Sequence, residues 1–94
     1  MKFGFIIMGD FNIDKDFAKI HNDTAQIIGV SNLDEACTAA KKLYCDGIDC
    51  IELCGAFGEN GAKEIIIATE NKIPIGYVTH LSEQDELFNS AFSN

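Results

Sequence analysis

The twelve residues from Gly47 to Gly58, G-I-D-C-I-E-L-C-G-A-F-G, place a carboxylate inside an otherwise apolar strand. The strand-forming residues between the glycine boundaries are Ile48, Ile51 and Leu53. Successive side chains of a strand point to opposite faces, so Cys50, Glu52 and Cys54 share the other face. An ionised glutamate needs a reason to lie there, and we expect its face to be either a binding site or a contact surface.

Outward from this strand, the chain alternates strands and helices. Three further strands are predicted, at Lys2–Met8, Ala25–Val30 and Ile75–Thr79. Helices are predicted from Leu33 to Gly47, from about Glu59 to Glu70, and from Ser82 through the apolar residues Leu87, Phe88, Ala91 and Phe92. Ser31 and Asp34 resemble a capping box for the first helix. Gly9–Thr24 is predicted to be a polar loop with room for a short helix around Phe17–Ile20.

This order predicts an α/β fold with a four-stranded, mostly parallel sheet and three helices, in a single α/β domain over residues 1–94. Strands separated by helices need crossover connections, which favour parallel pairing. Two architectures remain open. If the sheet continues in one direction, all helices cover one face, as in half of a β/α barrel; if it reverses, helices cover both faces, as in a flavodoxin-like sandwich.

Composition limits the partners. The formal net charge is -8 and all seven basic residues are lysines, which disfavours nucleic acid and anionic membranes as partners. No apolar run is long enough to span a membrane, and we expect a cytoplasmic protein whose four cysteines are reduced. Because 47% of the residues are hydrophobic in a chain of only 94, we also expect a homo-oligomer that hides a further apolar face.

Ligands of open parallel sheets collect beyond the carboxyl ends of the strands. These ends carry an acid, a thiol and an imidazole, the residue types that bind metals or activate a nucleophile. The candidate ligand-binding residues are Asp10, Asn12, Glu52, Cys54, Thr79 and His80. The spacing of these residues matches no metal-binding motif, and it identifies neither a catalytic residue nor a cofactor.

Two hypotheses of function follow, and the sequence does not decide whether the protein is an enzyme. In the first, the protein binds a small molecule or metal at the strand ends, with Glu52 as one of the site residues. In the second, it is a non-catalytic homo-oligomeric assembly or interaction module, and the Glu52 face is an interface between subunits.

Three segments together resemble a small family of uncharacterised bacterial proteins across essentially the whole chain. They are M-K-F-G-F-I-I-M-G-D-F at the start, I-E-L-C-G-A-F-G in the centre and Y-V-T-H-L near the end. This resemblance implies no activity. Residues from V-S-N-L-D-E-A to G-I-D-C-I-E-L are more distantly similar to the first βαβ unit of aldolase-type barrels, which would make Glu52 a proton-transfer acid. The chain lacks the Schiff-base lysine strand and the phosphate loop of those enzymes, so aldolase chemistry does not follow.

Overall fold

The computed structural model describes residues 1–93 and shows an α/β protein with five strands and three helices. The strands are β1 (Phe3–Met8), β2 (Phe17–Ile20), β3 (Ala25–Val30), β4 (Cys50–Leu53) and β5 (Ile75–Tyr77). The helices are α1 (Leu33–Cys45), α2 (Gly58–Ala68) and α3 (Asp85–Phe92). Short 3-10 turns at Gly55–Phe57 and Ser82–Gln84 precede the last two helices. None of these helices is both long enough and apolar enough to cross a membrane.

The sheet is mixed, with the strand order β2-β3-β1-β4-β5. The pairs β1–β3, β1–β4 and β4–β5 are parallel, as predicted for the mostly parallel sheet. The prediction of four strands was wrong, because β2 adds a fifth strand antiparallel to β3. The likeness to an aldolase-type barrel is not confirmed, since this sheet is open and β1 lies between β3 and β4, whereas successive barrel strands are neighbours.

The β2 strand replaces the predicted loop and short helix at Phe17–Ile20 because of the turn that follows it. His21, Asn22 and Asp23 all have positive φ, between 45° and 64°, a conformation that asparagine and aspartate tolerate better than most residues. This turn reverses the chain and pairs Ile20 with Ala25. Four residues carry too little periodicity to predict a strand that depends on pairing with β3.

Helix α1 begins one residue later than the predicted capping box suggests. The N-cap is Asn32, whose side chain accepts a hydrogen bond from the Glu35 amide at 2.8 Å. The Glu35 carboxylate in turn accepts hydrogen bonds from the amide and the hydroxyl of Ser31, at 2.8 and 2.9 Å. These bonds satisfy polar groups at the helix start. Gly47, with φ of +90°, follows the helix and allows the chain to turn towards β4.

The core lies between one face of the sheet and helices α1 and α2, which pack against each other. Its largest fully buried side chains are Ile6, Val30, Leu43, Ile51, Leu53 and Ile65. These helices cover the same face, as in the first predicted architecture, but the strand order reverses at β1, as in the second, so the sheet combines features of both. Helix α3 is different, because none of its residues is buried and it packs mainly against the short turn before it.

Candidate functional site

The sheet face opposite α1 and α2 carries Glu52, and we call it the open face. Strand register assigns to it every residue that alternates with the buried core positions. Its side chains are Phe3, Phe5 and Ile7 from β1, Ala18 and Ile20 from β2, Ala25 and Ile27 from β3, and Cys50 and Glu52 from β4. Glu52 is the only charged residue in this set, so the open face is mostly apolar.

Several large side chains of the open face are accessible to solvent. The exposed fraction is 67% for Ile20, 51% for Phe3 and 39% for Ile27, while Phe5 and Ile7 are half-buried. Parallel strands normally have both faces covered, because crossover helices and neighbouring layers enclose them. Here the central parallel strands are covered on one face only within residues 1–93.

Glu52 lies beside Phe5 on one side and Gly76 on the other. Its carboxylate rests over Gly76, where a Cβ atom would be 2.8 Å from Glu52 Oε2. Among residues 1–93, no hydrogen bond or ion pair involves this carboxylate, and the residue is exposed. The glutamate is therefore accommodated by solvent and by the missing side chain of Gly76, and it is not the half-enclosed acid that a proton-transfer role needs.

Cys50 and Cys54 lie near Glu52, and their contacts favour structural roles. Cys54 Sγ accepts a hydrogen bond from the Met8 amide at 3.3 Å, which ties the end of β4 to the end of β1. Burial raises the pKa of the Cys50 thiol, and the nearby negative charges of Glu52 and Asp49 raise it further. A raised pKa keeps the thiol protonated at neutral pH, so Cys50 lacks the thiolate that nucleophilic catalysis requires.

His80 contacts the C-terminal segment that follows it in the chain. Its Nε2 lies 2.8 Å from Asp85 Oδ1, and its ring stacks on Phe88 with centroids 3.9 Å apart and an interplanar angle of 7°. We call this set of contacts, formed by His80, Asp85 and Phe88, the C-terminal clasp. Thr79 is exposed beside it. Within residues 1–93, no hydrogen bond joins His80 to Cys54 or to Asp10, so the predicted acid, thiol and imidazole do not form one hydrogen-bonded site.

Asp10 and Asn12 line an open depression of about 470 Å³ at the carboxyl ends of β1 and β3. Asp14, Asp16 and Glu35 contribute further carboxylates to its wall. The backbone amide of Asn12 donates a hydrogen bond to Asp16 Oδ2 at 2.7 Å. The side-chain Oδ1 of Asn12 accepts one from the backbone amide of Asp14 at 2.9 Å. These polar side chains therefore organise their own loop, as Asx turns commonly do. Of the six predicted ligand-binding residues, the depression brings together only Asp10 and Asn12.

The arrangement does not resemble a metal centre. No group of three or more histidine, cysteine, aspartate or glutamate side chains in the described part of the chain is placed to hold a metal ion. The Cys50 thiol and the Glu52 carboxylate share the open face, but the His80 imidazole and the carboxylates around Asp10 belong to other segments.

Sequence reasoning missed the role of Phe11, which covers the carboxyl end of the open face. Its ring lies over Gly29 and Gly9, where added Cβ atoms would be 2.7 Å from Phe11 Cγ and 2.9 Å from Phe11 Cε2. Phe11 also lines the acidic depression, so it links that loop to the sheet. A glycine inside an apolar strand was the available signal, because it marks a close approach of another group.

Sequence reasoning also missed a groove of about 380 Å³ between β2 and α1, because it did not predict β2. Its walls include Phe17, Ile28 and Ala39, and its rim includes Lys19 and Lys42. Lys42 Nζ bonds Asp46 Oδ2 at 2.8 Å, and this hydrogen bond lowers the pKa of the Asp46 carboxyl. The lysine charge is thus partly neutralised within the protein.

These features define an α/β protein with one open, mostly apolar sheet face and an acidic loop at the strand ends. The chain belongs to a family of unknown function, DUF6506, whose model matches residues 1–93. No curated protein and no solved structure matches the chain. Membership therefore confirms the resemblance to an uncharacterised family, and it assigns no activity.

Proposed function

We propose that the protein is a non-catalytic, cytoplasmic, homo-oligomeric assembly module and that the open face is its subunit interface. The observation that carries this proposal is the exposure of Phe3, Ile20 and Ile27 on strands of a largely parallel sheet. Removing such side chains from water favours association by about 25 cal/mol per Å² of apolar area, from which the entropy cost of association is subtracted. Free thiols at all four cysteines are consistent with a reducing compartment.

The position of Glu52 agrees with this proposal. It lies on β4, away from Ile20 and Ile27, so an interface over β2, β3 and β1 leaves its carboxylate near the rim. A charge at a rim costs less than a charge at the centre, because solvent still reaches it.

A matched pair of substitutions tests this proposal. Ile20→Glu places a charge on the open face, whereas Ile67→Glu places the same charge on α2, at a side chain of nearly equal exposure, 67% against 70%. We expect sedimentation equilibrium to show an oligomer for the wild-type protein and for Ile67→Glu, and a monomer for Ile20→Glu. A monomeric wild-type protein, or an Ile20→Glu oligomer of unchanged mass, would refute the proposal.

Glu52→Ala provides a second measurement on the same face. Removing the carboxylate removes its desolvation cost, so we expect tighter association with no other change in the protein. An unchanged association constant would place Glu52 outside the interface.

A second candidate function is the binding of a small cationic ligand at the acidic depression. The volume of about 470 Å³ and the carboxylates of Asp10, Asp14 and Glu35 favour this candidate. Native mass spectrometry of protein purified without chelators tests it. A retained mass that is lost on denaturation, and absent from Asp10→Asn, would support it, whereas a clean apo-protein mass would argue against it.

A further inference from the structure

The C-terminal helix α3 has an apolar stripe that residues 1–93 leave largely exposed, apart from the stacking of His80 on Phe88. The exposed fraction is 65% for Leu87, 39% for Phe88 and 80% for Phe92. With Ala91, these residues follow helical spacing along one side of α3, and Asp85, Glu86, Asn89 and Ser90 form the polar side.

An eight-residue helix of this kind needs a packing surface. Isolated helices shorter than about 12–15 residues are marginal in water, and most helical stability in proteins comes from burying an apolar side. The contacts that hold α3 within its own chain are the C-terminal clasp and the preceding turn. They bury none of its residues.

The open face matches α3 in size and chemistry. A helix is about 10 Å wide, and eight residues extend about 12 Å, which is close to the width of two to three strands spaced about 4.8 Å apart. The exposed or half-buried residues of β2, β3 and β1 form such a strip, through Ile20, Ile27, Phe3 and Phe5.

In its own subunit, α3 does not cover the open face. Its main contacts are with the turn at Ser82–Gln84, and none of its residues is buried. With α3 in this position, Phe3 and Ile27 of the open face remain 51% and 39% exposed. A second copy of the chain can bring its α3 onto this face while the C-terminal clasp stays closed.

We propose that α3 of one subunit docks on the open face of a second copy of the chain, over β2, β3 and β1, and that the exchange is reciprocal. This inference rests on the proposed function and names the segment that occupies the interface. In a two-fold dimer, the same contact forms twice, so each subunit gives one helix and receives one.

The available surface is sufficient for a stable dimer. The exposed side chains of one contact are Phe3, Ile20, Ile27, Leu81, Leu87, Phe88 and Phe92. At about 100 Å² each, two such contacts remove roughly 1,400 Å² of apolar surface, within the range of about 1,200–2,000 Å² for stable interfaces.

Mixing two variants tests the exchange. The face variant is Ile20→Glu, and the helix variant combines Leu87→Glu with Phe92→Glu. The control combines Asn89→Glu with Ser90→Glu, which adds the same charge to the polar side of α3. All substituted residues are exposed in the subunit, and circular dichroism reports whether each variant keeps its fold. Native mass spectrometry distinguishes homodimers from heterodimers by their masses.

We expect both variants to associate on the order of 100-fold more weakly than wild type, and the control to associate normally. A mixture of the two variants should form a heterodimer, because the intact helix of the face variant fits the intact face of the helix variant. In that heterodimer one of the two contacts is free of substitutions, whereas both contacts of either homodimer carry a substitution.

The remaining outcomes separate the two proposals. If the helix variant dimerises like wild type while the face variant does not, α3 is not the occupant, but the open face remains the interface. If both variants are monomeric and their mixture gives no heterodimer, docking between subunits is refuted. If the face variant dimerises normally, the proposed function fails together with this inference.

Discussion

The close packing of Phe11 on Gly29 gives a sharp prediction about the open face. In Gly29→Ala, the new Cβ atom would lie 2.7 Å from Phe11 Cγ and 2.8 Å from Phe11 Cβ. Because Phe11 Cβ is next to the backbone, rotating the ring does not relieve this contact. The substitution must push the loop away from the sheet, and overpacking of this kind costs about 1–3 kcal/mol. Since Phe11 is only half-buried, we expect a loss of about 1–2 kcal/mol in the free energy of unfolding.

The assay is urea unfolding followed by circular dichroism at one fixed protein concentration, with Gly29→Ala made in the wild-type and Phe11→Gly backgrounds. Without the Phe11 Cβ atom and ring, the clash is absent. Replacing glycine in a strand by alanine then gains about 0.5–1 kcal/mol. The effect of Gly29→Ala should therefore change sign between the two backgrounds. Equal effects in both, within about 0.5 kcal/mol, would refute the reasoning.

Gly76→Ala is the matched control for this prediction. Its Cβ atom would also make a close contact, 2.8 Å from Glu52 Oε2. That contact involves the far end of a flexible, exposed side chain that can move into solvent. We therefore expect the gain of about 0.5–1 kcal/mol that alanine brings to a strand, and no loss.

Three further predictions concern the helix cap, the core and the thiols. Asn32→Ala should cost about 1 kcal/mol in urea unfolding, because the Glu35 amide loses its side-chain acceptor, and Asn32→Asp should restore most of it. Leu43→Ala should cost about 2–5 kcal/mol in the same assay, since its side chain is 1% exposed, and a cost below about 1 kcal/mol would contradict its place in the core. Burial raises the pKa of the Cys37 and Cys50 thiols. The stability that these thiols contribute is therefore present below the ordinary thiol pKa of 9.0 and is lost as pH rises above it. Thermal unfolding across this pH range should show a smaller alkaline loss of stability for Cys37→Ala/Cys50→Ala than for wild type.

The proposed oligomer gives the exposed apolar residues of the subunit a common explanation. The open face and the stripe of α3 are both too apolar to be typical solvent-facing layers, and a parallel sheet is normally enclosed on both faces. One reciprocal contact would cover both surfaces. The same contact would leave the acidic residues of α3 in solvent, where they suit a chain with a net charge of -8.

Local sequence signals were enough to predict several of the elements. The predicted strand at Ala25–Val30 matches β3, and the helical spacing from Leu33 predicted α1 to within two residues of its end. Glycine boundaries and alternation also placed Glu52 on the face opposite Ile51 and Leu53, which are buried. Such signals are readable because periodicity within one element reports which of its sides is buried.

The choice of neighbouring elements, and of the side chains that meet, depends on how the whole chain packs. Strand β2 exists because it pairs with β3, and its four residues carry no comparable signal alone. The predicted site residues do not converge, because His80 is held by Asp85 and Phe88. Cys54 bonds the backbone of β1, and Glu52 lies over Gly76. These outcomes depend on contacts between residues distant in sequence or on the path of a loop, and local periodicity contains no information about either.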